Sequence, residues 1–402
     1  MNKEVVILGG ARTAIGDFGG ALKDVAPARL GEIVIREAIA RSGIAAADVQ
    51  HVVMGQVIPT VPQDAYLARV AALNAGVPVE APALTLNRLC GSSVQAIVSA
   101  AQMITLGEAD FAVAGGAESM SQSPHYVTAA RFGQKMGAVQ MLDALTATLS
   151  DPIDNYHMGI TAENIAEQHQ IGRAAQDEAA AESHRRAAAA QTEGRFKDQI
   201  VPIEVKTRKG MVAFDTDEHV KAETTVDVLA KLKPAFKKDG TVTPGNASGI
   251  NDGAAALVLA SADAAAAKGL SPRARILGWG HAGVSPDVMG LGPIHAVPIA
   301  LERAGLSLDQ IDVIESNEAF AAQACAVANS LGFDPEKVNV NGSGISLGHP
   351  VGATGAILTV KLLAELDRQD ARYGLVTMCI GGGQGIALVV ERLGAAERKA
   401  AA

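Results

Sequence analysis

Three short stretches hold the residues of this chain best suited to covalent chemistry: Asn87-Arg88-Leu89-Cys90-Gly91-Ser92-Ser93, Gly348-His349-Pro350 and Cys379-Ile380-Gly381-Gly382-Gly383. Cys90 follows Leu84-Thr85-Leu86, which has the pattern of a strand end, and precedes Val94 to Ile104, where apolar residues recur at helical spacing. A thiol at a helix start faces unpaired backbone N–H groups and the positive end of the helix dipole. Both favour the thiolate, so its pKa is expected below the usual ~8.5. The plainer role for a lone cysteine is that of a small buried hydrophobe. His349 is followed by a proline suited to a first helical turn and by the helical run Ala356 to Leu366. An imidazole at this second helix start can take a proton from Cys90. Cys379 ends the apolar run from Leu375 and opens a turn of glycines whose N–H groups can approach a ligand closely. The expected chemistry is a nucleophilic thiol with its own base, beside a second reactive thiol.

The elements that must position these groups repeat. Ala38 to Val53 can be laid over Ile299 to Ile314 at an offset of 261, each copy giving helix, glycine turn, acidic residue and strand. The same offset carries Cys90 to position 351, beside His349. Each copy is expected to close with a glycine turn and an apolar strand: Gly115-Gly116 with Ala254 to Ala260, and Gly381 to Gly383 with Ile386 to Val390. Between the parts of the first copy lies a long segment of different composition, from about Glu118 to Gly249. It is rich in His, Gln and charged helix formers such as Gln176 to Arg186.

These motifs, taken in order, resemble the thiolase family, in particular bacterial acetyl-CoA acetyltransferases and β-ketothiolases, and the likeness runs nearly end to end. It rests on Arg12-Thr13-Ala14-Ile15-Gly16, Cys90 in its Leu-Cys-Gly-Ser setting, Gly115-Gly116-Ala117-Glu118-Ser119-Met120, Asn317-Glu318-Ala319-Phe320, Gly348-His349-Pro350 and the Cys379 glycine turn. The resemblance implies an α/β thiolase fold: duplicated five-stranded mixed sheets in a layered αβαβα arrangement with an inserted loop domain. The implied units are 1–117 with 250–271 as the first half, 118–249 as a loop domain for coenzyme A and oligomer contacts, 272–393 as the second half and 394–402 as a tail. It implies a homotetramer, a dimer of dimers, with 131–136 in the contact region. It also implies an acyl-Cys90 intermediate, His349 as base, Cys379 as the group that moves an α-proton, the Cys90 and Gly381 N–H groups as donors to the tetrahedral oxyanion, and His349 with a water held by Asn317 at the enolate oxygen. Leu149, His157, Met158, Lys221, Phe236, Ser248, Ala319 and Phe320 are the implied coenzyme A contacts. Acetyl-CoA and 3-ketoacyl-CoA are then substrates, with no covalently bound cofactor.

Composition sets limits on the alternatives. With 402 residues, 48% of them hydrophobic, and a net charge of −9, the chain can bury two cores and lacks the basic balance of a nucleic-acid binder. Its anionic substrates must therefore meet local cations. Three cysteines without a Cys-x-x-Cys pair suggest a reducing compartment and no metal site. The start runs directly into a strand-like segment, the tail carries no peroxisomal address, and no apolar stretch of about 18 residues is expected to span a bilayer, so the expected place is the cytoplasm.

A dinucleotide site is disfavoured, because Gly9-Gly10 lacks Gly-x-Gly-x-x-Gly spacing and the Gly381 turn leads into a strand instead of a helix. Gly91-Ser92-Ser93 is not a serine-hydrolase elbow. A β-ketoacyl synthase would pair its cysteine with two histidines and lack Cys379, while a non-catalytic coenzyme A binder would lack a reacting group. Departures from the common family pattern are Ser93, Pro244 and Ser343-Gly344-Ile345-Ser346. The last resembles β-ketothiolases of polyester-forming bacteria that accept acyl chains beyond acetyl, and it is expected to widen the acyl pocket.

Overall fold

The computed structural model describes residues 3–208 and 210–394, so nearly all of the tail expected over 394–402 lies outside the described residues. Strands β1 (Val5–Arg12), β2 (His51–Gly55), β3 (Ala83–Leu86), β4 (Phe111–Ser119) and β5 (Asn251–Ser261) build the first half of the sheet. Strands β6 (Ala274–Gly283), β7 (Val313–Ser316), β8 (Tyr373–Ile380) and β9 (Gln384–Arg392) build the second. They form one continuous sheet in the order β7-β8-β9-β6-β1-β5-β4-β2-β3, with the short Gly16–Asp17 strand beside β5. The halves meet at β1 and β6 over only two residue pairs, Val6 with Arg275 and Ile7 with Ala274.

Period-two alternation sends neighbouring side chains of one strand into different cores. Ile7, Leu257 and Leu259 enter a central cluster, whereas Val6, Leu8 and Val258 enter an outer one. The central cluster also takes Val94 and Ile97 from helix α3 (Ser92–Leu106), after helices α1 (Pro27–Ser42) and α2 (Leu67–Asn74) have covered the first half's outer face through Val34, Ile35 and Leu67. Val297 of α6 (Gly292–Ala304) and Val327 of α7 (Ala321–Leu331) cover the second half's outer face. The helices α4 (Met158–Gln168) and α5 (Arg173–Thr192) belong to the inserted segment. Finally α8 (Thr354–Gln369) joins α3 in the central layer, contributing Ile357 and Val360. The layers therefore run helix, sheet, helix, sheet, helix. Each fully buried Leu, Ile or Val adds about 1.5–3 kcal/mol of apolar transfer.

Four sequence expectations change. The repeat offset is 262: α1 and α6 both end at a left-handed glycine, Gly43 (φ 72°) and Gly305 (φ 67°), and the central helices begin at Ser92 and Thr354. Cys90 thus corresponds to Gly352. The second half has four strands among the described residues, its fifth position reduced to a single parallel bridge between Ile314 and Val338. The chain turns away at once because Asn339 is left-handed (φ 49°), and its side chain bonds the Ser316 backbone. Gly115-Gly116 lies inside β4 and makes no turn. Finally, Leu89–Leu106 is long and apolar enough to pass as a membrane span, yet this segment supplies α3, whose Val94, Ile97 and Ile104 are fully buried in the central layer.

The strand glycines serve close approach. A Cβ on Gly116 would lie 2.2 Å from the Gly352 carbonyl oxygen, and one on Gly55 would lie 2.7 Å from Ser92 Cβ. Here the starts of α3 and α8 pass each other, tied by the Ala356 N–H donating to Ser93 Oγ (2.9 Å). Gly116→Ala should therefore lower the unfolding free energy by about 1–3 kcal/mol, the range for an overpacked core; chemical denaturation of the variant beside the wild type measures it.

Candidate active site

Cys90 sits immediately before Gly91, the N-cap of α3. The turn that presents it passes through Leu89 in a left-handed conformation (φ 45°), uncommon for a bulky residue and a form of strain that concentrates at functional sites. The thiol is half-buried against Leu89, Val57, Met120 and Val351. These apolar neighbours decide its acidity. Burial pushes the Cys90 thiol up to about 11, although the N–H groups of Gly381 and of Cys90 itself pull it back. The helix-start expectation of a lowered pKa is therefore overturned: desolvation outweighs these N–H groups.

His349 lies ahead of its helix, not in the first turn as expected, because Pro350 precedes the N-cap and its carbonyl accepts the Ala353 and Thr354 N–H groups. The imidazole is buried, 4% exposed, and burial lowers its pKa to about 4, so it is neutral at rest. Thr354 fixes its tautomer. The Thr354 hydroxyl donates to the Pro350 carbonyl (2.9 Å), so at 2.7 Å it must accept from His349 Nδ1–H. Nε2 then carries the free lone pair, with Asn317 Nδ2 3.4 Å away. Asn317 Oδ1 is a buried acceptor with no protein donor among the described residues.

Cys379, the penultimate residue of β8, is fully buried. Burial first, and the neighbouring Cys90 second, push its thiol far above the usual range. The strand ends in the 381–383 turn that carries the Gly381 N–H.

Cys90, His349 and Gly381 line one cavity of about 580 Å³, together with Leu149, His157, Met158, Phe236, Ser248, Ala319 and Phe320. Asn317 and Cys379 are not part of its lining but stand directly behind it, against His349 and Cys90. Lys221 is exposed and outside the lining; its position is marked by its field on Asp17, a rim residue that bonds His219. Along the channel the Phe236 ring stacks on His157 (4.6 Å between centroids, 15° between planes) and meets Phe320 edge-on at 6.3 Å. His157 caps α4, its Nδ1 accepting the Gly159 N–H at 3.0 Å. The Ser248 N–H donates to the Ala319 carbonyl (2.9 Å), which fastens the end of the inserted segment to the Asn317 turn.

Sequence reasoning missed Asp17, His219, Val57, Met120 and Met289 in the lining. Val57, Met120 and Met289 give a weak signal because apolar residues beside strand and helix ends look like core, and Asp17 and His219, far apart in sequence, read as ordinary surface polar residues. Ser343 and Ser346 are not in the lining, contrary to expectation. Ser343 Oγ donates to the Ser316 carbonyl within the second half, and Ser346 Oγ donates to Ser183 Oγ of α5, whose own hydroxyl donates to Glu318 (2.6 Å). The Ser346 contact holds the inserted segment to the second half. No group of three or more side chains able to hold a metal ion occurs among the described residues.

The comparisons agree with this arrangement. The sequence pattern of the thiolase N-terminal domain matches residues 5–263, and that of the thiolase C-terminal domain matches 270–392. The chain is 61% identical over 394 residues to the β-ketothiolase BktB of Cupriavidus necator, covering 98% of this chain and 100% of that one, and 51% identical to an acetyl-CoA acetyltransferase of Chromobacterium violaceum over 97% and 100%. Among solved structures it is similar to the Bacillus anthracis acetyl-CoA acetyltransferase (TM-score 0.95, 49% identity, 98% and 99% covered) and to human mitochondrial 3-ketoacyl-CoA thiolase in complex with CoA (TM-score 0.95, 44% identity, 98% of each chain). A cavity lined by a thiol and an imidazole, with a second thiol buried outside its lining, is thus met on this duplicated scaffold in a chain that belongs to the thiolase family.

Proposed function

We propose that this thiolase is an acetyl-CoA C-acetyltransferase, a β-ketothiolase that joins an acyl-CoA and acetyl-CoA into a 3-ketoacyl-CoA or runs the reverse thiolysis, with the acyl group carried on Cys90. The observation that carries this reading is the convergence of Cys90, His349 and Gly381 on one cavity with Cys379 behind the nucleophile.

With a thiol near 11 and an imidazole near 4, the resting pair is neutral, so proton transfer accompanies attack. Cys90 Sγ bonds to the thioester carbon as His349 Nε2 takes its proton. The C–S bond to coenzyme A breaks, and the leaving thiolate takes the Cys379 proton. The Cys379 thiolate then removes an α-proton from a second acetyl-CoA, whose carbanion attacks the acyl-Cys90 carbonyl. Collapse expels Cys90, which recovers its proton from His349. The Cys90 and Gly381 N–H groups already face the Cys90 sulfur and suit the tetrahedral oxyanion, while Asn317 and His349 suit the enolate oxygen. Each such donor is typically worth ~3–4 kcal/mol.

The stacked His157 and Phe236 form a neutral slot for the pantetheine arm, and Lys221 at the rim meets a phosphate. A homotetramer is supported by Phe132 (93% exposed) and Met136 (88%), apolar side chains that a monomer would leave in water. Three unpaired cysteines fit the reducing cytoplasm.

Intact-protein mass spectrometry separates the two thiols. Cys90→Ala should form no acyl-enzyme from acetyl-CoA, whereas Cys379→Ala should still be acetylated at Cys90 but lose α-proton exchange and condensation by roughly 10²-fold or more. Acetyl on Cys379 would reverse the assignment. Because Ser346 faces α5 and not the cavity, Ser346→Ala should leave the ratio of kcat/KM for 3-ketovaleryl-CoA and acetoacetyl-CoA within about twofold, a null effect by the arithmetic of transition-state discrimination. The pKa of His349 is lower in the folded chain than in the unfolded one, so the unfolded chain binds more protons and stability falls as pH drops from about 6.5 toward 4. His349→Gln should flatten this dependence by up to one proton, measured by denaturant unfolding across that range.

A further inference from the structure

Glu118 lies near the end of β4, fully buried, with no lysine or arginine partner among the described residues. Three backbone N–H groups take the place of a cation. Oε2 accepts from Val57 (2.9 Å) and Gly352 (2.8 Å), and Oε1 accepts from Ile58 (3.1 Å). These donors come from different halves of the molecule: Val57-Ile58 follows β2, and Gly352 lies between His349 and α8. Gly352 is pressed close, for a Cβ there would stand 2.5 Å from Oε2. Val57, Ile58, Met120 and Val351 form one apolar cluster, with Cys90 packed against it, and Val57, Met120 and Val351 line the cavity.

We propose that Glu118 is a positioning residue that fixes the spacing of the Val57 and Val351 walls beside the Cys90 thiol and thereby sets which acyl chain the enzyme accepts. Only a carboxylate can do this, since its two oxygens accept several N–H groups at once, and charge-assisted bonds are about twice as strong as neutral ones. An amide of the same shape turns an NH₂ group toward at least one of the N–H donors and leaves it unpaired. Burial first, and the like charge of Asp64 last, raise the Glu118 carboxyl, while the three donors favour its ionised form and hold the net value to about 7. The inference rests on Cys90 as the acylated residue.

Both Glu118→Gln and Gly352→Ala disturb the same contact from opposite sides. For each, the acetyl-Cys90 fraction from intact mass gives the concentration of competent sites, and kcat/KM per site is measured for acetoacetyl-CoA and 3-ketovaleryl-CoA. The ratio of the two substrates should shift threefold or more, while KM for coenzyme A stays within twofold, because His157 and Phe236 are held independently. If Glu118→Gln does not fold, Gly352→Ala decides alone. A purely structural carboxylate would lower the competent fraction and leave the ratio unchanged, which overturns the role of Glu118. Absence of acetyl on Cys90 in the wild type would instead remove the reading beneath it.

Discussion

The starts of two helices pass within a backbone's width of each other at the centre of this molecule, and Cys90 and His349 are placed by that crossing. Gly55, Gly116 and Gly352 leave no room for a Cβ, Ser93 bonds across to Ala356, and Glu118 gathers N–H groups from both sides. From this contact Cys90 is one residue before the N-cap of α3, and His349 is three residues before Gly352. The placement of the proposed nucleophile and its base thus follows from packing of small residues in the best-buried layer, where overpacking is least forgiven.

The site is mostly apolar, which inverts the simplest electrostatic argument. A helix N-terminus favours a thiolate, but the surrounding Leu89, Val57 and Met120 penalise it more, and His349 is held neutral by the same burial. Cys90 and His349 are therefore both neutral at rest, and in the proposed reaction charge appears only as the Gly381 and Cys90 N–H groups meet it. Such fixed donors cost no reorganisation when charge develops.

The candidate reacting residues and the duplication were legible because each has a local signature, such as cysteine before a helical run or the repeated helix-turn-strand, whereas the layer order came with the resemblance to a family. Three kinds of feature were not. The repeat register was displaced by one because the alanine-rich helix runs match at either offset, and only the two C-cap glycines, Gly43 and Gly305, fix it at 262. The thiol's acidity depends on Val57, Met120 and Val351, which are remote in sequence and indistinguishable from core. Ser343 and Ser346 are polar residues in a motif near the histidine, yet their partners, the Ser316 carbonyl and Ser183, show that they seal a packing interface. Spacing identifies a motif; it does not say which way a side chain points.

The strand order also governs how the chain can be made. β1 pairs with β5, whose first residue is Asn251, and β5 in turn pairs with β4. During synthesis the first half therefore cannot close when its own early strands have emerged: β1 and β4 must wait with open edges while the whole inserted segment is translated. Unpaired strand edges and exposed apolar faces make nascent chains prone to association, and long-range pairing is slow to form. The second half waits for less chain: β6 pairs with β9, the last strand, but no inserted segment separates them, and β8 and β9 are joined by a three-residue turn. Two copies of one architecture thus have unequal histories on the ribosome, the earlier one dependent on assistance or on speed, the later one able to zip shut as it leaves.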